Sequence, residues 1–237
     1  MSLSCCCACF SDAPPDHLRE EDPRYKYYIQ YQEKFDIALD EVPGQECCYC
    51  WYTMLCLPCS LYQVRMAVLE HRGLDISHYR CCQDYFPCPC IWCCDPCVQN
   101  IPHATLFAES CCCPGWGMSA SRFMIMDQYR LGMHPIDNQI IRCNNAIQAL
   151  ACICDTLAIC IRHLREFARI VHCVADLVFI STAGCMAGQV MHEIRIRKEG
   201  LKDSSGDAGA AAPVADAVPI SEESGLLPAD KQAMDRI

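Results

Sequence analysis

The chain has 237 residues, of which 52% are hydrophobic and 25 are cysteine. It is long enough to bury a core, but its mean hydropathy of +0.07 is too low for a multi-span membrane protein. The formal net charge of −10 and the lack of a basic patch argue against a nucleic-acid partner.

Residues 1–46 are predicted to form a cysteine-rich acidic arm, with 10 acidic and 4 basic residues. The opening stretch MSLSCCCACFSDAPPD has no positive segment and only a short apolar run, so it does not predict a signal peptide. The cysteine count is odd and many cysteines are adjacent, which is poor geometry for a disulfide network. We therefore expect reduced cysteines in the cytosol. Residues 24–37 are predicted to form a short amphipathic helix.

Residues 47–117 are predicted to form a cysteine-rich, membrane-associated region. Residues 47–72 contain an apolar half and an amphipathic half, divided by Pro58. Residues 81–117 are almost uncharged and rich in proline, which argues against a regular strand or one long helix there.

Residues 118–199 are predicted to be helical, with a short helix over 118–131 and a longer one that starts at Asp137 as its N-cap. Apolar residues then alternate at spacings of three and four, which predicts a buried seam: Ile140, Cys143, Ile147, Leu150, Cys154, Leu157 and Ile161. No Gly or Pro interrupts residues 136–183, so the pattern allows either one helix of roughly 60 residues or a fold-back near Arg162–Glu166. We expect the fold-back, which forms a helical hairpin, because a lone long helix would leave its seam unburied.

The hairpin prediction leaves two ways to bury the seam. The helices within 138–194 pack on each other, or they bind a protein partner or a second copy. Other cysteines of these helices are expected to be small core residues, like the seam cysteines: Cys160, Cys173 and Cys185.

A membrane span is not predicted from the second helix. Its uncharged run covers residues 177–192, sixteen residues, and extending it admits Asp176 and His172. A spanning helix needs about 20 apolar residues, and a central aspartate costs roughly 2.5–3.5 kcal/mol on insertion scales. We therefore expect peripheral association. Gly184 and Gly188 are predicted to allow close helix packing.

Residues 200–237 are predicted to be a disordered acidic tail, and Gly200 is predicted to stop the preceding helix. Glu222, Leu226 and Leu227 fit the acidic dileucine pattern that sorting adaptors bind as an extended peptide.

The cysteine groups suggest two alternative chemistries. S-acylation favours cytosolic cysteines beside apolar residues near a membrane, and stable anchoring needs at least two chains. The candidates for lipidation are Cys5, Cys6, Cys7, Cys9, Cys93 and Cys94.

The alternative is zinc. Two CxxC pairs, Cys56 with Cys59 and Cys90 with Cys93, have the spacing of a four-cysteine zinc site. No other cofactor is predicted. No catalytic motif is present, so the chain is not predicted to be an enzyme.

Two stretches resemble a known family. CWYTMLCLPCS (50–60) and CCQDYFPCPC (81–90) are similar to the paired cysteine signatures of the placenta-specific/cell-number-regulator family, which includes plant cadmium-resistance proteins. The resemblance implies a small membrane-associated protein linked to metal tolerance or organ size. Residues 118–159 resemble uncharacterised cysteine-rich proteins of plants and algae, which brings no activity.

Together these patterns predict a mainly α fold: a cysteine-rich, proline-punctuated N-terminal half, a helical hairpin and a disordered tail. The predicted function is a multiply S-acylated interaction or scaffold protein, peripheral on the cytosolic face of the plasma membrane or an endomembrane such as the vacuole. The alternatives are a zinc-binding structural or regulatory module and an oligomeric membrane protein in metal handling.

Overall fold

A computed structural model describes residues 9–12, 22, 24–86 and 95–206, without the side chains of 95–97, 162 and 201–206. The mainly α fold class is confirmed, because the only strands in these ranges are two residues long. Strand β1 (Glu33–Lys34) pairs in parallel with β2 (Leu131–Gly132).

Eight α-helices follow one another in the described ranges. They are α1 Val42–Gln45, α2 Cys47–Leu55, α3 Leu57–His71, α4 Asp95–Asn100, α5 Pro102–Cys112, α6 Pro114–Tyr129, α7 Pro135–Cys160 and α8 Arg165–Gly206.

The chain divides into two units, Met1–Gly200 and Leu201–Ile237. The segments 1–46, 47–117 and 118–199 all belong to the first unit. Helix α8 continues to Gly206, so the predicted helix stop at Gly200 is wrong.

Prolines mark helix starts in the cysteine-rich region. Pro58, Pro102 and Pro114 each lie in the first turn of α3, α5 or α6, where a missing N–H costs no hydrogen bond. Within the described part of residues 81–117 there is neither a strand nor one long helix, as the prolines predicted: α4, α5 and the start of α6 are separate helices.

Helix α6 lies at the centre of the core, and α3 and α5 both pack beside it. Phe123 and Met124 of α6 are buried in one apolar cluster with Val68 of α3 and Leu106 of α5. At its C-terminal end, Arg130 has φ 53°, a left-handed conformation that ends α6 before β2.

The predicted helix over residues 24–37 is wrong beyond Gln30. Lys26–Gln30 forms a single π-helical turn, and the chain then extends into β1. Tyr27 stacks on Phe123 with ring centroids 4.6 Å apart. Gly132 permits the close strand contact, because a Cβ there would lie 2.3 Å from the Tyr31 carbonyl oxygen.

Helices α7 and α8 form the predicted hairpin. They are joined by a short 3₁₀ turn at Arg162–Leu164, where the fold-back was expected. The predicted N-cap is wrong: His134 caps α7, its Nδ1 accepting the Ile136 N–H at 3.3 Å. Asp137 is instead fully buried and is hydrogen-bonded by the Leu39 N–H.

The predicted seam is not the buried stripe of α7. Only Cys154 of the seam is buried, and Leu150 and Leu157 are about half exposed. The buried stripe is instead Asp137, Ile141, Asn144, Gln148, Ala151, Cys154 and Ala158. The core role expected of Cys143, Cys160 and Cys173 is likewise wrong, since these three are exposed.

The expectation that all cysteines are reduced is also wrong. Cys56 and Cys59 form a disulfide across the junction of α2 and α3, with their Cα atoms 5.4 Å apart. Cys81 is disulfide-bonded as well. The helix break at Cys56 brings the first pair within the distance that a disulfide requires.

Candidate functional site

Small residues form the contact between α7 and α8. Cys154 and Ala158 of α7 are buried in one cluster with Ala168 of α8. Further along the pair, the Gln148 side-chain amide donates to the Ala175 carbonyl oxygen at 2.7 Å. Small residues allow the two helix backbones to approach closely.

Large apolar residues of the same hairpin point away from this contact. Seven of them are between 46% and 63% exposed: Leu150, Ile153, Leu157, Phe167, Ile170, Val174 and Leu177. We call this set the apolar face. Small residues inside and large apolar residues outside is the reverse of a water-soluble hairpin and is typical of helices that contact lipid.

The seven residues share one side of the hairpin. At about 100° per residue, Leu150 and Leu157 lie roughly 100° and 120° to one rotational side of Ala151. On α8, Val174 and Ile170 lie about 100° and 140° from Ala175, in the same rotational sense. In an antiparallel pair, an equal rotational sense places both sets on the same face.

The opposite side of the hairpin is polar. Asp155 and His172 lie there and approach across the pair, with the carboxylate 3.7 Å from Nδ1. An open groove on this side is lined by Asp155, Arg165 and Arg169. The same groove includes Ile159, an isoleucine that is 66% exposed on the polar side.

Helix α2 covers the continuation of the apolar face. Val174, Leu177, Ser181, Gly184 and Gly188 follow one another along α8 at intervals of three or four residues, so they form one stripe. A Cβ at Gly184 would lie 3.1 Å from the α2 backbone. The glycines therefore receive α2, and the large residues of the stripe stay uncovered.

Polar contacts fix α1 and α2 to α8. His192 of α8 lies between the carboxylates of Glu46 and Asp36, with each ring nitrogen 3.0 Å from one oxygen. Burial lowers the pKa of His192, but these two hydrogen bonds outweigh it and raise the pKa above its usual value. Arg195 also pairs with Glu46.

Both hairpin helices are long and apolar enough to cross a membrane by length and composition, which alone is weak evidence. Only 22% of the most apolar window of α7 and 39% of that of α8 is buried. Helix α8 lies partly in the main core, through Phe179, Met186 and Val190, while its first half and most of α7 stay largely exposed.

The residues predicted as lipidation and sorting sites mostly lie outside the described residues. This holds for Cys5, Cys6, Cys7, Cys93, Cys94 and the tail residues Glu222, Leu226 and Leu227. Cys9 is half-buried. It precedes Phe10, whose ring stacks on Phe179 of α8.

The predicted zinc set is not assembled in the described part of the chain. Cys56 and Cys59 are joined as a disulfide, so neither offers a thiolate, and Cys90 and Cys93 lie outside the described residues.

A second cluster, Cys81, Cys82 and Glu109, brings three ligand atoms together. However, Cys81 is disulfide-bonded. Both oxygens of Glu109 already accept hydrogen bonds, from Arg65 on one side and from Tyr79 on the other. These groups do not fit a zinc ion.

The apolar face was missed by the seam prediction, although the sequence carries a signal for it. Ala151 and Ala158 are seven residues apart, and so are Ala168 and Ala175. A heptad of alanines on both helices marks the contact stripe. It leaves the neighbouring large residues on the outside.

No family profile, curated protein or solved structure matches the chain.

Proposed function

We propose that the protein is a peripheral membrane-associated interaction protein, held at the lipid surface by the apolar face of the α7–α8 hairpin. The observation that carries this proposal is the hairpin's reversed arrangement, with alanines between the helices and seven large apolar residues outside. Lipid is the environment in which such an outer surface is stable.

The hairpin is proposed to lie along the membrane surface and not to cross it. A span would bury the polar side as well, including Asp155, Arg169 and Asp176. Each aspartate or arginine costs roughly 2.5–3.5 kcal/mol at the membrane centre. An orientation that keeps these groups in water while the apolar face enters the lipid avoids that cost.

Lipid is favoured over a protein partner by the composition of the apolar face. Its seven members are all aliphatic or aromatic, so they offer none of the side-chain hydrogen bonds that fix the register of a typical protein complex. A lipid surface needs neither hydrogen bonds nor a complementary shape. Trp51 and Leu55 of the adjoining α2 add exposed apolar area.

The cytosolic face of the membrane remains the proposed location, because it would keep the exposed thiols of Cys47, Cys48, Cys160 and Cys173 reduced. The Cys56–Cys59 disulfide is an exception, since the cytosol disfavours disulfides. S-acylation at the predicted cysteines and adaptor binding by the tail remain parts of this proposal. The predicted cysteines are Cys5, Cys6, Cys7, Cys9, Cys93 and Cys94.

Sedimentation with neutral phosphatidylcholine vesicles tests the proposal on the purified, unmodified full chain. We expect the chain to bind. Replacing Leu157 and Ile170 together by glutamine removes two side chains that are about half exposed and that lipid would cover. Their exposed halves together equal about one fully buried side chain, which contributes roughly 1.5–3 kcal/mol to binding. The double variant should therefore partition to vesicles at least about tenfold more weakly.

Ile159→Gln is the matched control, because it changes an isoleucine of the same hairpin on the polar side. It is expected to bind vesicles like the unchanged chain, and circular dichroism should show equal helicity for all variants. If the unchanged chain stays in the supernatant, or if Ile159→Gln weakens binding as much as the double variant, the proposal is wrong.

A further inference from the structure

The outer side of α2 carries thiols and large apolar side chains together. Cys47 or Cys48, Trp51 and Leu55 follow one another at about one helical turn. Trp51 is 65% exposed and Leu55 is 84% exposed, and both cysteines are exposed. Thr53, on the other side of α2, is fully buried. This stripe is apolar, uncharged and uncovered.

The α2 stripe is turned to the same side of the molecule as the apolar face. Helix α2 rests on Gly184 and Gly188, which continue the row of Val174 and Leu177 along α8. The side of α2 away from those glycines therefore points in the direction in which the apolar face points. A lipid surface that meets the apolar face also meets Trp51 and the two cysteines.

We propose that Cys47 and Cys48 are S-acylation sites, which take a long-chain fatty acyl group from acyl-coenzyme A while the protein rests on lipid. The inference rests on the proposed function and deepens it by naming the attachment points. The cysteine thiolate attacks the carbonyl carbon of the acyl thioester, and a new carbon–sulfur bond forms. The bond to the coenzyme A sulfur breaks, and coenzyme A leaves with the proton that the cysteine released. No oxidant or reductant is consumed.

Neighbouring cysteines do not share this arrangement. Cys50 faces α8 and hydrogen-bonds Cys185, and burial raises the pKa of both thiols, that of Cys185 to about 12. A higher pKa leaves less of the reactive thiolate. Cys111 and Cys112 are also adjacent and exposed, but they belong to α5, which contacts α3, α4 and α6.

Acylation at α2 would change how long the protein stays on the membrane. One acyl chain alone gives marginal, reversible binding, and stable anchoring takes two signals. The apolar face supplies one signal and the acyl chain supplies the other. Because a thioester is hydrolysable, the second signal is removable.

The test uses the purified full chain with palmitoyl-coenzyme A, with and without neutral phosphatidylcholine vesicles. Hydroxylamine-sensitive acyl groups are then located by peptide mass spectrometry. We expect them on the peptide that contains Cys47 and Cys48, about tenfold more abundant when vesicles concentrate the acyl donor beside α2. The variant Cys47→Ser/Cys48→Ser should lose this signal. The matched variant Cys111→Ser/Cys112→Ser should keep it.

Acyl groups on other cysteines only, or equal labelling of Cys47 and Cys48 without vesicles, would overturn the inference. That result leaves the proposed function standing if the unmodified chain still binds vesicles. The proposed function is decided separately, by sedimentation of the unacylated chain with vesicles. An unacylated chain that does not sediment with vesicles refutes the proposed function, whatever the positions of the acyl groups.

Discussion

Arg122 is the residue on which the buried charge of the fold depends. Its guanidinium lies 2.8 Å from Asp12 and 2.8 Å from Asp137, and all three side chains are fully buried. This network joins the N-terminal segment, α6 and α7. Asp137 also accepts a hydrogen bond from Gln189 of α8, so one arginine supports the base of the hairpin.

Arg122→Met is expected to destabilise the protein strongly. The substitution removes the arginine that pairs with both Asp12 and Asp137. The two carboxylates would stay buried without that counter-charge, which typically costs about 3–5 kcal/mol. Urea denaturation monitored by circular dichroism measures the loss. Arg169→Met, which removes an exposed pair with Glu166, should change the unfolding free energy by about 0.5 kcal/mol or less.

The stability lost in Arg122→Met should depend on pH, and the direction of that dependence follows from Asp12. Burial already raises the pKa of Asp12 in the folded protein, against the effect of Arg122. Without Arg122 the folded pKa rises further above the unfolded value, so the folded state binds protons more tightly. The deficit of Arg122→Met should therefore shrink as the pH falls from neutral toward the unfolded pKa. A deficit that grows on acidification would contradict this account.

At the scale of elements, the glycines of α8 set the position of α2. A Cβ at Gly188 would lie 2.6 Å from Val42 Cγ1, and Val42 is itself fully buried. Any side chain there must push α1 and α2 outward. The apolar face ends where this contact begins, so the two glycines define how much of the α8 stripe is left exposed.

Gly188→Leu is expected to lower the unfolding free energy by about 1–3 kcal/mol, because overpacking a well-filled contact forces neighbouring groups to move. Gly200→Leu is the matched control. Apart from its own helix, no atom of the described residues lies within 4 Å of its Cβ position. Leucine favours the helix more than glycine does, so Gly200→Leu should be neutral or stabilising. Chemical denaturation measures both variants. If both are destabilised equally, the effect of leucine does not come from contact with α1 and α2, and this account is wrong.

The hairpin was predicted from sequence, but the large apolar residues alone did not predict its packing. The spacing of Ile147, Leu150 and Leu157 correctly predicts helix, and the fold-back follows from the need to bury such a pattern. A heptad of large apolar residues cannot tell whether they face a partner helix or stay exposed. That choice depends on tertiary contacts, such as the hydrogen bond that satisfies Gln148 on the buried side.

The same limit applies to the cysteines. Sequence spacing shows that Cys56 and Cys59 are three residues apart, which suits a metal site and a disulfide equally. The helix break between α2 and α3 selects the disulfide, and that break could not be placed from the sequence to a single residue. The exposure of Cys47 and Cys48 follows from the packing of α2 on Gly184, which the sequence does not show.

For the whole molecule, apolar periodicity correctly predicted a mainly helical protein, and charge bears on the membrane binding that we propose. The formal net charge is −10, while residues 47–199 carry 12 acidic and 12 basic residues. A neutral central region between acidic ends has no polybasic patch to attract anionic lipid. If the protein binds membranes as we propose, the binding must come from apolar burial, which depends little on the charge of the lipid head groups.

We therefore expect tighter binding to neutral vesicles than to vesicles that contain anionic lipid, at low salt. The net negative charge repels an anionic surface over about 10 Å at 0.1 M salt and over a shorter distance at 1 M. Raising the salt concentration should bring the two affinities together by strengthening binding to the anionic vesicles. Sedimentation across a salt series measures this. Tight binding to anionic vesicles that salt abolishes would instead mean that Arg165 and Arg169, on the polar side of the hairpin, face the lipid.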